Sequence, residues 1–159
     1  MIKVVVANTD ELVKKAIEAA TLNPQYAEVW IILDRDKVVG FDDIIKQAKE
    51  NDIKVGWSNP CIEIWFNAYF GEMPTYDDSV KCCKNFEKAY KKRVEKEYKK
   101  ADNQIYLKLC NFGDEEKAIE IAESRYTEYM KNGNDIPSKM YSATTVHLLV
   151  KEIKSKKGK

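Results

Sequence analysis

The sequence predicts an α/β fold: a parallel sheet with helices on both faces, followed by a helical extension. Three observations carry this. Over residues 2–70, short apolar runs alternate with stretches of helical periodicity. The order is strand, helix, strand, helix, strand, helix, the pattern of parallel sheets joined by crossovers. One run, Val29–Leu33, is apolar without a break, as in a strand covered on both faces. After residue 76 the chain turns highly charged and helical.

The elements follow in order. Residues 2–7 form a short β-branched run and read as the first strand. Asn8, Thr9 and Asp10 supply capping oxygens, and Glu11–Ala20 is a run of helix formers. Leu12, Val13, Ala16, Ile17 and Ala20 recur on one face of it, and Asn23-Pro24 ends it. The strand Val29–Leu33 leads into Asp34-Arg35-Asp36 and a turn at Gly40. Phe41–Asn51 reads as a helix, with Phe41, Ile44, Ile45 and Ala48 on one face. Ile53–Trp57 is a third strand. Pro60 suits the first turn of the next helix, where its missing N–H leaves no bond unmade. That helix is apolar nearly all round, through Ile62, Ile64, Trp65, Phe66, Ala68, Tyr69 and Phe70, so it is expected to be buried. Further helices are predicted over Asp77–Lys99, Asn103–Asn111, with Gly113 as its stop, Asp114–Lys131 and Thr144–Lys154. The division expected is a core over residues 1–75 and a helical extension over 76–159 packed on that core, with a basic disordered tail from about residue 155.

A chain of 159 residues can bury a real core, and 44% hydrophobic with 33% charged residues is the composition of a globular protein. A net charge of +1 points to no partner by itself. No stretch suits a membrane span or a signal peptide, so the expected location is the cytoplasm, without a membrane partner. Cys61, Cys82, Cys83 and Cys110 show no zinc-finger spacing and read as reduced thiols packed as small hydrophobes.

Ligands of parallel α/β sheets gather at the carboxyl ends of the strands, which here puts Asn8, Asp34, Asp36, Ser58 and Asn59 on one rim. Asp34 and Asp36 leave the strand on the same side, with Arg35 opposite. Two such carboxylates are either ordinary strand-end acids or ligands of a hard divalent cation, magnesium or manganese. Glu63, in the first turn of an apolar helix, either favours the positive helix end or faces the rim as ligand or base. Ser58 or Asn59 suits a helix cap. His147, the single histidine, is either structural or a phosphate-contacting or proton-transferring group. The lysines from Lys81 to Lys100, with Tyr90 and Tyr98 among them, either track a phosphate backbone or form a solvated face offset by Glu87, Glu95 and Glu97.

Three segments in this order, VWIILDRD, VGWSNPCIEIWFNAYF and SATTVHLLVKEI, resemble the RloB family of bacterial and archaeal proteins. In that family they take the forms of a DRD strand, an SNPCFELW segment and a late TTVH helix. The resemblance spans about residues 1–153. It implies a three-layer, Toprim-like parallel sheet of the Rossmann kind, with the Asp-x-Asp metal pair at Asp34 and Asp36. It also implies metal-dependent phosphodiester hydrolysis of RNA, transfer RNA included, or of DNA, in anti-phage defence that arrests infected cells. The partner implied is an AAA- or ABC-type ATPase of the RloA kind. The candidate catalytic set is then Asp34, Asp36, Glu63 and His147, with Ser58, Asn59, Arg35, Thr144 and Thr145 toward the phosphate. A catalytically degenerate binding or regulatory module is the alternative. The family's opening strand and CEGE-like turn, which supply the Toprim glutamate, have no counterpart before Ile2–Val6. The expectation is a metal site short of one usual ligand and an open sheet edge that favours a homodimer.

Overall fold

The computed structural model describes residues 9–25 and 28–157. The expected first strand over residues 2–7, and Asn8, lie outside the described residues. Those described build a mixed α/β molecule of seven α-helices and a three-stranded sheet.

A 3-10 turn, Thr9–Glu11, leads into α1, Leu12–Leu22. Its N-cap position is Glu11, whose side chain makes no cap bond. Strand β1, Val29–Asp34, is followed by α2, Phe41–Glu50, and by β2, Ile53–Asn59. The two strands are parallel and in register from Val29 opposite Ile53 to Asp34 opposite Ser58. The third strand, β3, Ala143–Thr144, comes from the end of the chain and pairs antiparallel with Ser58 and Asn59. The sheet is therefore mixed, in the order β1-β2-β3, and not wholly parallel as expected.

One face of the sheet packs on α1 and α2. Ile31, Leu33, Ile53, Val55 and Trp57 join Val13, Ala16, Phe41, Ile45 and Ala48 in one core. The other face meets α7, Val146–Lys157, at β2. There the Cα of Gly56 looks onto Val146, and a Cβ on it would lie 3.6 Å from the Val146 backbone. This cover stops short of β1, where Ile32 is 46% exposed. The unbroken apolar run of β1 thus does not mean cover on both faces.

A second core surrounds α3, Glu63–Tyr69. This short helix is buried as expected, but it begins three residues after Pro60, which lies in the turn beyond β2. Around it stand α4, Ser79–Val94, α5, Ile105–Phe112, and α6, Glu115–Lys131. Phe66, Phe70, Phe86, Tyr90 and Tyr98 interlock there at tilted, stacked and edge-on angles. Side chains of Asp78 and Asp114 cap α4 and α6 by accepting from Lys81 N–H (2.8 Å) and Lys117 N–H (3.0 Å).

The expected helix over Asp77–Lys99 ends at Val94, because Glu95 turns left-handed (φ 58°) and its N–H closes on Lys91 O. Residues 96–100 then run across the end of α3 instead of away from it. At the other end of the chain, α7 stays helical to Lys157, past the expected start of a disordered tail at about 155. No helix among the described residues is long and apolar enough to cross a membrane.

Candidate functional site

The carboxyl ends of β1 and β2 are stitched together. Arg35 N–H donates to Ser58 O and Asp36 N–H to Pro60 O, both at 2.8 Å. This holds Asp34 beside the turn that opens α3. One Asp34 oxygen, Oδ1, is buried and has no hydrogen-bond partner. Burial, with the charges of Glu63 and Asp36 adding to it, pushes this carboxyl up to about 6; a backbone contact from Ile62 opposes the rise. Asp36 takes a left-handed backbone (φ 24°), which aspartate tolerates better than most residues. Its Oδ1 accepts from Ser79 Oγ at 2.6 Å, and it lines an open cleft of about 480 Å³ with Arg35, Lys37, Asp42 and Ser138.

Glu63 stands in the first turn of α3 and is only 2% exposed. The Tyr98 hydroxyl donates to its Oε1 at 3.1 Å, and Lys100 Nζ lies 3.9 Å from the same oxygen. Lys100 is held above its ordinary value by the Glu63 charge, and burial raises Tyr98. The thiols of Cys61 and Cys83 meet beside this carboxylate, with their sulfurs 3.8 Å apart. One ligating atom each of Cys61, Glu63 and Cys83 falls within 4.8 Å of the others; among the described residues Asp34 and Asp36 form no such group of three. A Cys82 contact and then burial push the Cys61 thiol up, and burial raises Cys83.

Of the remaining predicted residues, Ser58, Asn59, Thr144, Thr145 and His147 are buried in the same seam, and Arg35 is half-buried beside the cleft. Ser58 Oγ and Thr144 Oγ1 share a hydrogen bond at 3.0 Å, and Thr144 Oγ1 also donates to Trp57 O and accepts from Val146 N–H. Thr145 Oγ1 accepts from Trp57 N–H and donates to Val55 O. Both threonines therefore complete the β2 backbone and start α7. Asn59 Nδ2 donates to the carbonyls of Pro137 and Ser138, while its Oδ1 is buried without a partner. Arg35 leans over the Tyr141 ring, 5.9 Å from its centre. His147 is fully buried, and neither ring nitrogen has a hydrogen-bond partner. Burial pushes it down to about 4, and the groups that face it are Glu123, the Thr144 backbone, Lys151 and the Tyr126 ring, not the acids of the rim.

The structure thus brings Asp34, Asp36 and Glu63 to one end of the sheet and sets His147, Thr144 and Thr145 into the packing of β2, α6 and α7. Sequence reasoning missed Tyr98, Lys100, Cys61 and Cys83 as neighbours of Glu63. Tyr98 and Lys100 were hidden in a lysine-rich stretch whose helix was expected to run to Lys99. The two cysteines are 22 residues apart and match no spacing rule. A protein-family model described as RloB, RloB-like protein, matches residues 3–153 of the chain. No curated protein and no solved structure matches it.

Proposed function

The chain belongs to the RloB-like family, and from that premise we propose a metal-dependent nuclease module of Toprim-like fold acting in anti-phage defence. The observation that carries this reading is the Asp34 carboxyl. It has a buried oxygen without a partner, next to Glu63 and Asp36, at the carboxyl end of a parallel strand pair. Carboxylates crowded in this way repel each other and lose hydration, and a hard divalent cation relieves both costs. Magnesium or manganese suits these oxygen donors; Asp34 and Asp36 would hold it, with Glu63 behind them. Such an ion supplies charge against a phosphoryl oxygen and lowers the pKa of a water.

The chain's own residues provide the rest. Ser79 and the Pro60 carbonyl fix the Asp36 loop. Arg35 and Lys37 put positive charge in the cleft beside Asp36, where a phosphate would enter. Tyr98 and Lys100 hold Glu63 in place. His147, Thr144 and Thr145 have no part in the reaction on this reading, because they are enclosed in the packing.

The test is cleavage of transfer RNA, other RNA and DNA with manganese or magnesium, with the partner ATPase present. Asp34→Asn and Asp36→Asn are each expected to lose on the order of 10²-fold or more in rate. Unchanged cleavage by the double variant would sink the reading. The second reading is a binding or regulatory module that partners the ATPase. Its support is that Glu63 and Asp36 already have partners in Tyr98, Lys100 and Ser79. Metal binding by calorimetry without turnover on any substrate would select it.

A further inference from the structure

Cys61 lies in the turn after β2, and Cys83 sits one turn into α4. The fold brings them together from elements far apart in sequence and sets Glu63 against both. We propose that Cys61, Cys83 and Glu63 form a binding site for a borderline-soft divalent cation of the zinc class, separate from the hard-cation site at Asp34 and Asp36.

Four observations carry this. The sulfurs stand 3.8 Å apart. Two thiolates bound at about 2.3 Å to one tetrahedral ion stand about 3.8 Å apart as well. The Glu63 carboxylate reaches within 4.8 Å of both sulfurs, so three donors stand close enough to share one ion. The donor set, two sulfurs and one carboxylate, suits zinc and not magnesium, which prefers oxygen and keeps its waters. The charge also closes. Two thiolates and a carboxylate around a divalent ion leave one negative charge, and the Lys100 ammonium, 3.9 Å from Glu63, offsets it. Binding releases the two thiol protons to solvent, and the fourth position stays open to water or a ligand. Glu63 has two carboxylate oxygens and can face this ion and the Asp34 side together. The site does not depend on the nuclease reading and stands if that reading fails.

Cobalt(II) is the probe. Reduced, unaltered protein titrated with cobalt(II) is expected to show sulfur-to-cobalt charge-transfer absorption that rises to a plateau. Zinc abolishes the band, while a large excess of magnesium does not. Cys61→Ser and Cys83→Ser lose the band, and Cys110→Ser, which changes an exposed thiol, keeps it. Since both buried substitutions can disturb folding, alkylation of the unaltered protein gives a second measurement. Zinc at about 100 times its Kd is expected to slow modification of Cys61 and Cys83 about 100-fold, because only the opened chain reacts, and to leave Cys110 unchanged. The proposal is overturned by absence of the band in unaltered protein, by its survival in both serine variants, or by equal alkylation with and without zinc.

Discussion

Asp34 and His147 are both held toward their neutral forms by burial, and their effects on stability have opposite signs. The Asp34 carboxyl is pushed up from 3.8 to about 6. Between these values the folded chain binds the proton that the unfolded chain has lost, so stability falls as pH rises through that window. The whole effect is roughly 3 kcal/mol. His147 is pushed down from 6.5 to about 4. Here the unfolded chain takes up a proton that the folded chain refuses, so stability falls as pH drops from 6.5 toward 4, again by roughly 3 kcal/mol. In the parent the two slopes largely cancel. Asp34→Asn removes one of them. The variant is expected to be more stable than the parent near neutral pH and to lose roughly 3 kcal/mol of that advantage on acidification to pH 4. His147→Gln should show the reverse difference. Urea unfolding of the metal-free proteins across this range reads both, and a pH-independent difference between Asp34→Asn and the parent would show that Asp34 is not strained in the fold.

At the scale of the elements, Gly113 joins three helices through backbone alone. Its N–H closes α5 on Leu109 O, and the next N–H, of Asp114, donates to Tyr69 O at the end of α3, both at 2.8 Å. A Cβ on Gly113 would lie 2.5 Å from Tyr69 O and 2.9 Å from Leu109 O. These are backbone atoms that cannot turn aside. Gly113→Ala is expected to cost about 3 kcal/mol or more, read as a lower midpoint in thermal or urea unfolding. An unchanged midpoint would mean that the α3–α6 junction is looser than described. The stop at Gly113 was legible, but its reason was not. The backbone there is extended (φ −131°), so the need is for close approach and not for the left-handed turn that usually ends a helix on glycine. The α2 helix and the β1 run were legible because periodicity and unbroken apolarity survive in sequence. Strand β3 was not, since two residues carry no pattern and owe their conformation to Ser58 and Asn59. Glu95 gave no breaker signal, so the segment from Glu95 to Lys99, which carries Tyr98 to Glu63, was read as more helix.

For the molecule as a whole, the change of composition near residue 76 suggested a core and a helical extension packed on it, and the two parts share both hydrophobic cores. Met140 and Ala143 lie in the sheet-side core with Ile31, Val55 and Trp57. Within the other core, α3 of the first half is enclosed by α4, α5 and α6 of the second. Thr145 accepts the Trp57 N–H and donates to Val55 O, and Thr144 donates to Trp57 O, so β2 depends on the end of the chain for its backbone bonds. Of the candidate site, Asp34, Asp36 and Glu63 were visible as acids at strand and helix ends. The groups that complete it from the second half could not be seen before the halves were brought together. A fragment ending at residue 75 would expose Ile64, Trp65, Ala68 and Tyr69 to water and leave buried β2 donors and acceptors unpaired, each at about 1–3 kcal/mol. Against a total stability of about 5–15 kcal/mol for a domain, that loss exceeds what the first half retains. The fragment is therefore expected to show no cooperative unfolding transition and to bind an apolar dye, while the full chain unfolds in one step. A sharp transition in the fragment would establish residues 1–75 as an independent unit.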